Sequence, residues 1–276
     1  MIKEIAKFQT IDGINIFVEE DFEVLEDYDP GGLDALYQIE QDHFWFKARN
    51  HAIADVFERY IPQDAEIIEI GAGTGAVSRH LIENNYEVAV ADIHLRGLKY
   101  AQTYGITKCH KLDIYQMPFE DEFDAVCLFD VIEHLDNEAF ALKNIHDSVK
   151  EQGRIVVTVP AHQWLWSRDD AIAGHKRRYT RKSLMESIES AGFETIECKY
   201  IFSLVTPLLA LRRLVRPDSG ADVDPKEIVR LSDQAGIKIN PVVNFLLSKL
   251  CAVERLMQRA LPLPFGGSLL LVAKKR

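Results

Sequence analysis

Apolar residues along the chain change their rhythm twice. Over residues 33–60 they recur at three and four, as Leu36, Ile39, Phe44, Phe46, Ile53, Val56, Phe57 and Tyr60. That spacing predicts two amphipathic helices. After Pro62, short apolar runs alternate with amphipathic stretches. The runs predict strands at 65–70, 87–91, 108–112, 123–129 and 153–159, and the stretches predict helices at 76–84, 95–104, 137–149 and 181–191. Two more strands read at 195–202 and 268–274. Apolar strands alternating with helices predict an α/β fold, with a doubly wound, mostly parallel, seven-stranded sheet.

Two regions break the alternation. Residues 1–30 are acidic and irregular, with short alternating runs at 14–18 and 22–25 and an Asp-Pro-Gly-Gly turn at 29–32. The last two strands are separated by roughly 60 residues, far more than a tight connection needs. This stretch holds an apolar run at 204–215 with Arg212, Arg213 and Arg216 at its end, then a helical stripe over 242–261. The chain therefore divides into an N-terminal extension with helices (1–60), a core (61–202), a helical insertion (203–265) serving as lid or acceptor platform, and a closing strand (266–276).

Composition narrows the class. With 47% hydrophobic and 27% charged residues the chain reads as globular, which excludes disordered and collagen-like architectures. A formal charge of −11 disfavours a nucleic-acid binder that relies on a general basic field. Cys109, Cys127, Cys198 and Cys251 form no Cys-x-x-Cys pair, which excludes a ribbon-type zinc site and suits a reducing compartment. No apolar signal core and no run of about 18 apolar residues occurs, so a cytoplasmic setting is expected.

The densest chemical signal runs from Ile67 through Gly71, Gly73 and Gly75 into a helix. An apolar strand, a glycine turn and a helix start form a cradle in which a ligand can lie against the main chain. The same run fits a dinucleotide pattern, so a nicotinamide-dependent oxidoreductase stays open. Further acids then fall where strands end: Asp92, suited to a ribose diol, Asp113 beside Ile114, and Asp130 after Phe129. Ligands in such sheets bind outside the carboxyl ends of the strands.

In order, the segments EIGAGTG, VADI, LDI and FDAVCLFDVIEHL resemble the motifs of class I S-adenosylmethionine-dependent methyltransferases. The resemblance spans about residues 60–200 plus the last strand, which fits the family's antiparallel closing strand. It implies a Rossmann-like methyltransferase fold and S-adenosylmethionine as cofactor, with S-adenosylhomocysteine as product. By similarity, Glu69, Gly71, Ala72, Gly73 and Gly75 would line the methionine and ribose portion. Asp92 would hold the ribose hydroxyls, with Ile93 against the adenine. Asp113 and Ile114 would address the adenine edge, and Phe129 and Asp130 would border the methyl group. The segment Asp42-His-Phe-Trp-Phe-Lys-Ala-Arg-Asn50 resembles one that precedes the sheet in ubiquinone-pathway-like methyltransferases, which makes Arg49 a partner for the cofactor carboxylate.

Methyl transfer asks the protein to position an acceptor, exclude water and, for a hydroxyl, remove a proton. Candidate catalytic residues are Glu133, His134 and His175. An acceptor wall reads at 159–170, with His162 and Trp166, and a local basic cluster follows with Arg177, Arg178 and Tyr179. These point to a small or lipid-linked acceptor methylated at oxygen, with arginines suited to an anionic group such as a phosphate or carboxylate. Asp130, Glu133 and His134 have the spacing D-x-x-E-H. It resembles the E-x-x-E-H divalent-ion site of certain ubiquinone-pathway and small-RNA 2′-hydroxyl methyltransferases, in the latter of which a downstream histidine, here His175, completes the set. The shorter Asp in first place departs from that pattern, and the expectation is no metal, with Glu133 and His134 anchoring the loop under the cofactor. The insertion, with its arginines, also leaves peripheral membrane contact open, although packing within the protein is the expectation. A non-catalytic subunit that binds S-adenosylmethionine is the remaining alternative.

Overall fold

A computed structural model of the chain describes residues 8–18, 30–215 and 239–276. Its strands are β1 (Gln9–Ile11), β2 (Ile14–Ile16), β3 (Ile67–Ile70), β4 (Val88–Asp92), β5 (Cys109–Lys111), β6 (Phe123–Phe129), β7 (Val149–Pro160), β8 (Phe193–Ile201) and β9 (Ser268–Lys275). They form one sheet in the order β1-β2-β5-β4-β3-β6-β7-β9-β8. Pairing is parallel from β2 through β7, and β9 runs antiparallel to both β7 and β8. The sheet is doubly wound and mostly parallel, as expected. It has nine strands among the described residues rather than seven.

The two additional strands come from a β1–β2 hairpin, which turns at Asp12 and Gly13 and extends the edge beyond β5. The alternating run at 14–18 supplies β2. Its antiparallel partner is three residues long, too short to show a period. The run at 22–25 lies outside the described residues.

The helices are α1 (Pro30–Ile39), α2 (Phe44–Tyr60), α3 (Ala76–Glu83), α4 (Leu95–Thr103), α5 (Glu138–Ser148), α6 (Arg168–Ile172), α7 (Arg181–Ser190), α8 (Thr206–Val215) and α9 (Pro241–Ala260). The Asp-Pro-Gly-Gly sequence read as a turn instead opens α1 at Pro30. Proline's fixed φ and missing N–H suit a first helical turn. Helix α6, a single capped turn and a half, arises within the stretch read as an aromatic wall.

Both faces of the sheet are covered. Ile53 and Phe57 of α2, Leu81 of α3 and Cys251 of α9 pack with Ala125, Cys127 and Val156 on one face. Leu142 and Ile145 of α5 and Leu184 and Ile188 of α7 pack with Val126, Leu128 and Val157 on the other. Helix α4 covers the β4–β5 edge through Leu98 and Ala101. Each fully buried side chain of this size contributes about 1.5–3 kcal/mol, which is why the central strands read as unbroken apolar runs.

Helix α9 is anchored on α2. The Asn244 side chain accepts from the Phe44 N–H at 2.8 Å, and Arg255 forks onto both oxygens of Asp55 at 2.5 and 2.7 Å. Arg216, read as part of the basic end of the preceding helix, lies outside the described residues. All four cysteines are buried and free. No helix among the described residues is long and apolar enough to cross a membrane.

Strand β3 pairs with β4 on one side and β6 on the other, so the order reverses there. A crevice opens at such a reversal, outside the carboxyl ends of the strands.

Candidate active site

The crevice is a cleft of about 1790 Å³. That exceeds the roughly 300–1,000 Å³ of an ordinary small-molecule site, so it has room for a cofactor and a second molecule. Its floor is the strand ends and the turns that follow them. Its walls come from α1, the start of α2, the loop carrying α6, and α8 with α9.

The glycine turn is held tightly. The N–H groups of Gly71 and Ala72 donate to Ala91 O at 2.8 and 3.1 Å. Gly71 has φ +70°, and a Cβ there would lie 2.6 Å from Val131 Cγ2, so only glycine fits. Gly97, at the start of α4, faces the same turn: a Cβ on it would collide with Gly73 O. The pattern G-x-G-x-G carried no signal for that position.

Asp92 closes the turn from beneath. Its Oδ2 accepts from Gly73 N and its Oδ1 from His94 N, both at 2.8 Å. The carboxylate is buried, and burial pushes its pKa up against those bonds. Glu69, at the end of β3, accepts from Ser78 Oγ, and burial pushes its carboxyl up to about 7. Thr74 Oγ1 meets both oxygens of buried Glu40 at 2.6 and 2.7 Å, tying the end of α1 to the turn. Glu40 was invisible in the sequence because it sits among ordinary helix positions.

Beside this floor, Ile93 follows β4, and Asp113 caps a short turn by accepting from Tyr115 N at 2.8 Å, with Ile114 buried next to it. Phe129 ends β6 and Asp130 follows it. Asp130 has φ +57°, accepts from Thr158 Oγ1 at 3.1 Å, and pairs with Arg49 at 2.5 Å. Arg49 lines the cleft with its guanidinium on Asp130, and its Nε is buried without a partner.

Glu133, His134 and His175 converge at one end of the cleft. Their ligand atoms lie within 4.8 Å of one another, and the two imidazoles meet edge to face with centroids 4.8 Å apart. Both carboxylate oxygens of Glu133 are buried without a hydrogen-bond partner. Burial and the neighbouring Asp130 push its pKa well up. Burial and His175 lower His134 to about 4, so its ring is neutral. His175 Nδ1 donates to Asp170 Oδ1 at 2.8 Å, which turns Nε2 toward Glu133 Oε1, 4.0 Å away. Asp130, grouped with these three in the sequence, stands outside the cluster because Arg49 and Thr158 hold it.

Asp170 was missed, although Ser167-x-x-Asp170 is a capping box at the start of α6. Burial alone would raise its pKa. Hydrogen bonds from His175 and Arg178, with the Arg178 charge, reverse this and hold it at about 2.

The rest of the expected acceptor wall is placed differently. Arg178 lines the cleft, but Asp170 holds its guanidinium at 2.7 and 2.9 Å. Arg177 is turned away onto Glu138 and Leu135 O, and buried Tyr179 donates to the same Glu138 at 2.8 Å. The basic cluster expected to meet an anionic acceptor is therefore internally paired. His162 stacks on Tyr200, 5.1 Å between centroids, and neither it nor Trp166 lines the cleft. Gly75 lies below the surface, packed toward Ala101.

The family model of a methyltransferase domain matches residues 41–198. No curated protein sequence matches the chain. Among solved structures, the chain resembles a Thermotoga maritima S-adenosylmethionine-dependent methyltransferase, with 14% identity and a TM-score of 0.56 over 93% of this chain and 100% of that one. It also resembles Haemonchus contortus phosphoethanolamine N-methyltransferase 2 in complex with S-adenosylmethionine, with 18% identity and a TM-score of 0.58 over 92% and 59%. The [4+2]-cyclase SpnF shares the fold at 17% identity and a TM-score of 0.55 over 84% and 83%. At these identities the likenesses speak for the fold alone.

Proposed function

We infer the chemistry from one premise: the chain belongs to the methyltransferase-domain family and is a class I S-adenosylmethionine-dependent methyltransferase. That displaces the oxidoreductase alternative, which rested on the glycine run alone. The cleft fits the cofactor on three observations: two buried carboxylates at successive strand ends, a partnerless buried Arg49 Nε, and a turn that no Cβ could occupy at Gly71. Glu69, Arg49 and the glycine turn would hold the methionine portion, Asp92 with Ile93 the ribose and adenine, and Asp113 with Ile114 the far edge of the base. Bound there, S-adenosylmethionine supplies an electrophilic methyl group.

We propose that the acceptor is a small or lipid-borne hydroxyl compound, and that His175 takes its proton. One observation carries this reading: Asp170 orients His175 so that Nε2 opens into the cleft beside Glu133 and His134. A carboxylate that fixes an imidazole's tautomer is the arrangement of a general base. His134, neutral and held near pKa 4, is too weak a base for the task and instead positions the acceptor hydroxyl. This arrangement also disfavours a non-catalytic subunit.

A second reading of the same cluster is a divalent-cation site, favoured by Glu133. A buried carboxylate with two unpartnered oxygens is costly unless protonated or met by a cation. Glu133, His134 and His175 would hold the ion, which would bind the acceptor oxygen and lower its pKa. Calorimetry with magnesium, manganese and zinc, with the cofactor bound, decides between the two. No heat with any of them leaves the base reading alone.

The test of the function is transfer of labelled methyl from S-adenosylmethionine into a lipid and metabolite extract, with the product analysed for O-methyl groups. His175→Ala should slow transfer about 10²–10⁴-fold with little change in cofactor binding. Label found only on nitrogen or carbon, or unchanged turnover in the variant, would overturn it.

A further inference from the structure

We propose that the outer face of α8 and α9 docks on an anionic lipid surface, from which the acceptor enters the cleft. This rests on the acceptor reading above and narrows it to the lipid-borne class. Helix α9 is apolar on two sides. One side packs on α2 and β8 through Leu247, Cys251 and Gln258. On the other, Val242, Leu246, Val253 and Leu256 fall four, seven and three residues apart, a single helical stripe, and lie 50–66% exposed. A helix apolar all round is normally buried. Here the second stripe is open, and an apolar patch of this kind marks an interaction surface.

The patch continues into the cleft. Leu208 of α8 and Val243 of α9 are both exposed, and both line the cleft. An apolar chain lying along α9 would therefore meet no polar barrier before the cleft mouth.

Charge selects the occupant. In a chain of net charge −11, the sequence of α8 holds Arg212 and Arg213 near its end, and α9 carries Lys249, Arg255 and Arg259 against the single acid Glu254, with Arg255 and Arg259 held on Asp55 of α2. Glu254 points inward, accepting from Leu204 N at 2.8 Å. Lys249 lies with its ammonium 5.2 Å from the centre of the Phe245 ring, its stem along the apolar stripe and its head free to reach phosphates. A second copy of this face would repel the first, whereas anionic headgroups match it. An amphipathic helix of this kind lies in the interface rather than crossing it.

The experiment is flotation of the full-length protein with vesicles of phosphatidylcholine alone and of phosphatidylcholine with phosphatidylglycerol, at low and high salt. The protein should float with the anionic vesicles, less so at high salt, and barely with the neutral ones. The double variant Leu246→Glu, Leu256→Glu should lose flotation roughly tenfold or more, while its thermal midpoint and its calorimetric affinity for S-adenosylmethionine stay unchanged. Failure of the wild-type protein to float, or equal flotation by the variant, overturns the docking face. So does a wild-type dimer that the variant converts to monomer, which would make a second copy the occupant. Intact cofactor binding without flotation sinks the docking face alone, and flotation without cofactor binding sinks the methyltransferase site alone.

Discussion

Glu69 and Gly97 show how much a single position beneath the cleft decides. Glu69 is 2% exposed and titrates near 7. Its folded pKa lies above the unfolded carboxylate range, so folding favours the protonated form. The stability this contributes is present below about pH 4.5 and is lost as pH rises through 7, on the order of 3 kcal/mol in all. The thermal midpoint of the cofactor-free protein should therefore fall between pH 5 and pH 8, and Glu69→Gln should flatten that fall. An equally steep decline in the variant would assign the pH dependence elsewhere. At Gly97 the prediction is steric: Gly97→Ala pushes α4 off Gly73 and should weaken S-adenosylmethionine binding about tenfold or more by calorimetry, with the fold retained by circular dichroism. The resemblance of the EIGAGTG segment to methyltransferase motifs flagged Glu69. It could not flag Gly97, whose constraint is a backbone from another turn.

At the scale of elements, α6 and its flanking loops hang on Asp170. The carboxylate is reached by Ser167 N at 2.7 Å, by His175 and by both ends of the Arg178 fork. Its folded pKa near 2 lies below the unfolded value, so its contribution is present above about pH 4 and disappears as pH falls through 2. Asp170→Asn leaves the partly buried Arg178 guanidinium without its carboxylate, at a cost below the about 3–5 kcal/mol of a fully buried pair. Hydrogen exchange should speed up across residues 161–180 and stay unchanged in β3 and β4, and methyl transfer should fall because His175 loses its orientation. Protection in 161–180 equal to wild type would remove Asp170 from this role. The aromatic and basic content of this stretch suggested an acceptor wall. Only the fold shows that Arg177 and Arg178 meet Glu138 and Asp170, so that most of the charge is spent on holding the loop.

Across the whole molecule, the last strand completes the sheet. β9 inserts between β7 and β8 and pairs with both along its length, and Leu269 through Ala273 are almost fully buried. Truncation after Gly267 should therefore abolish the cooperative unfolding transition. A truncated chain that still melts cooperatively would mean that β8 can close on β7 directly. The strand-helix alternation, the sheet's parallel character, the glycine turn and the acids at successive strand ends were all legible along the chain. They depend on local periodicity and on apolar strands that can be buried only between layers. The extra hairpin, the Glu40–Thr74 tie, the Asp170 hub and the second apolar side of α9 left open to solvent were decided by tertiary structure. The docking of the hairpin on β5 and the Glu40–Thr74 tie join residues far apart in sequence, and the Asp170 hub depends on which near neighbours the loop turns inward. Nothing in a linear pattern records which partners the folded chain brings within reach or leaves uncovered.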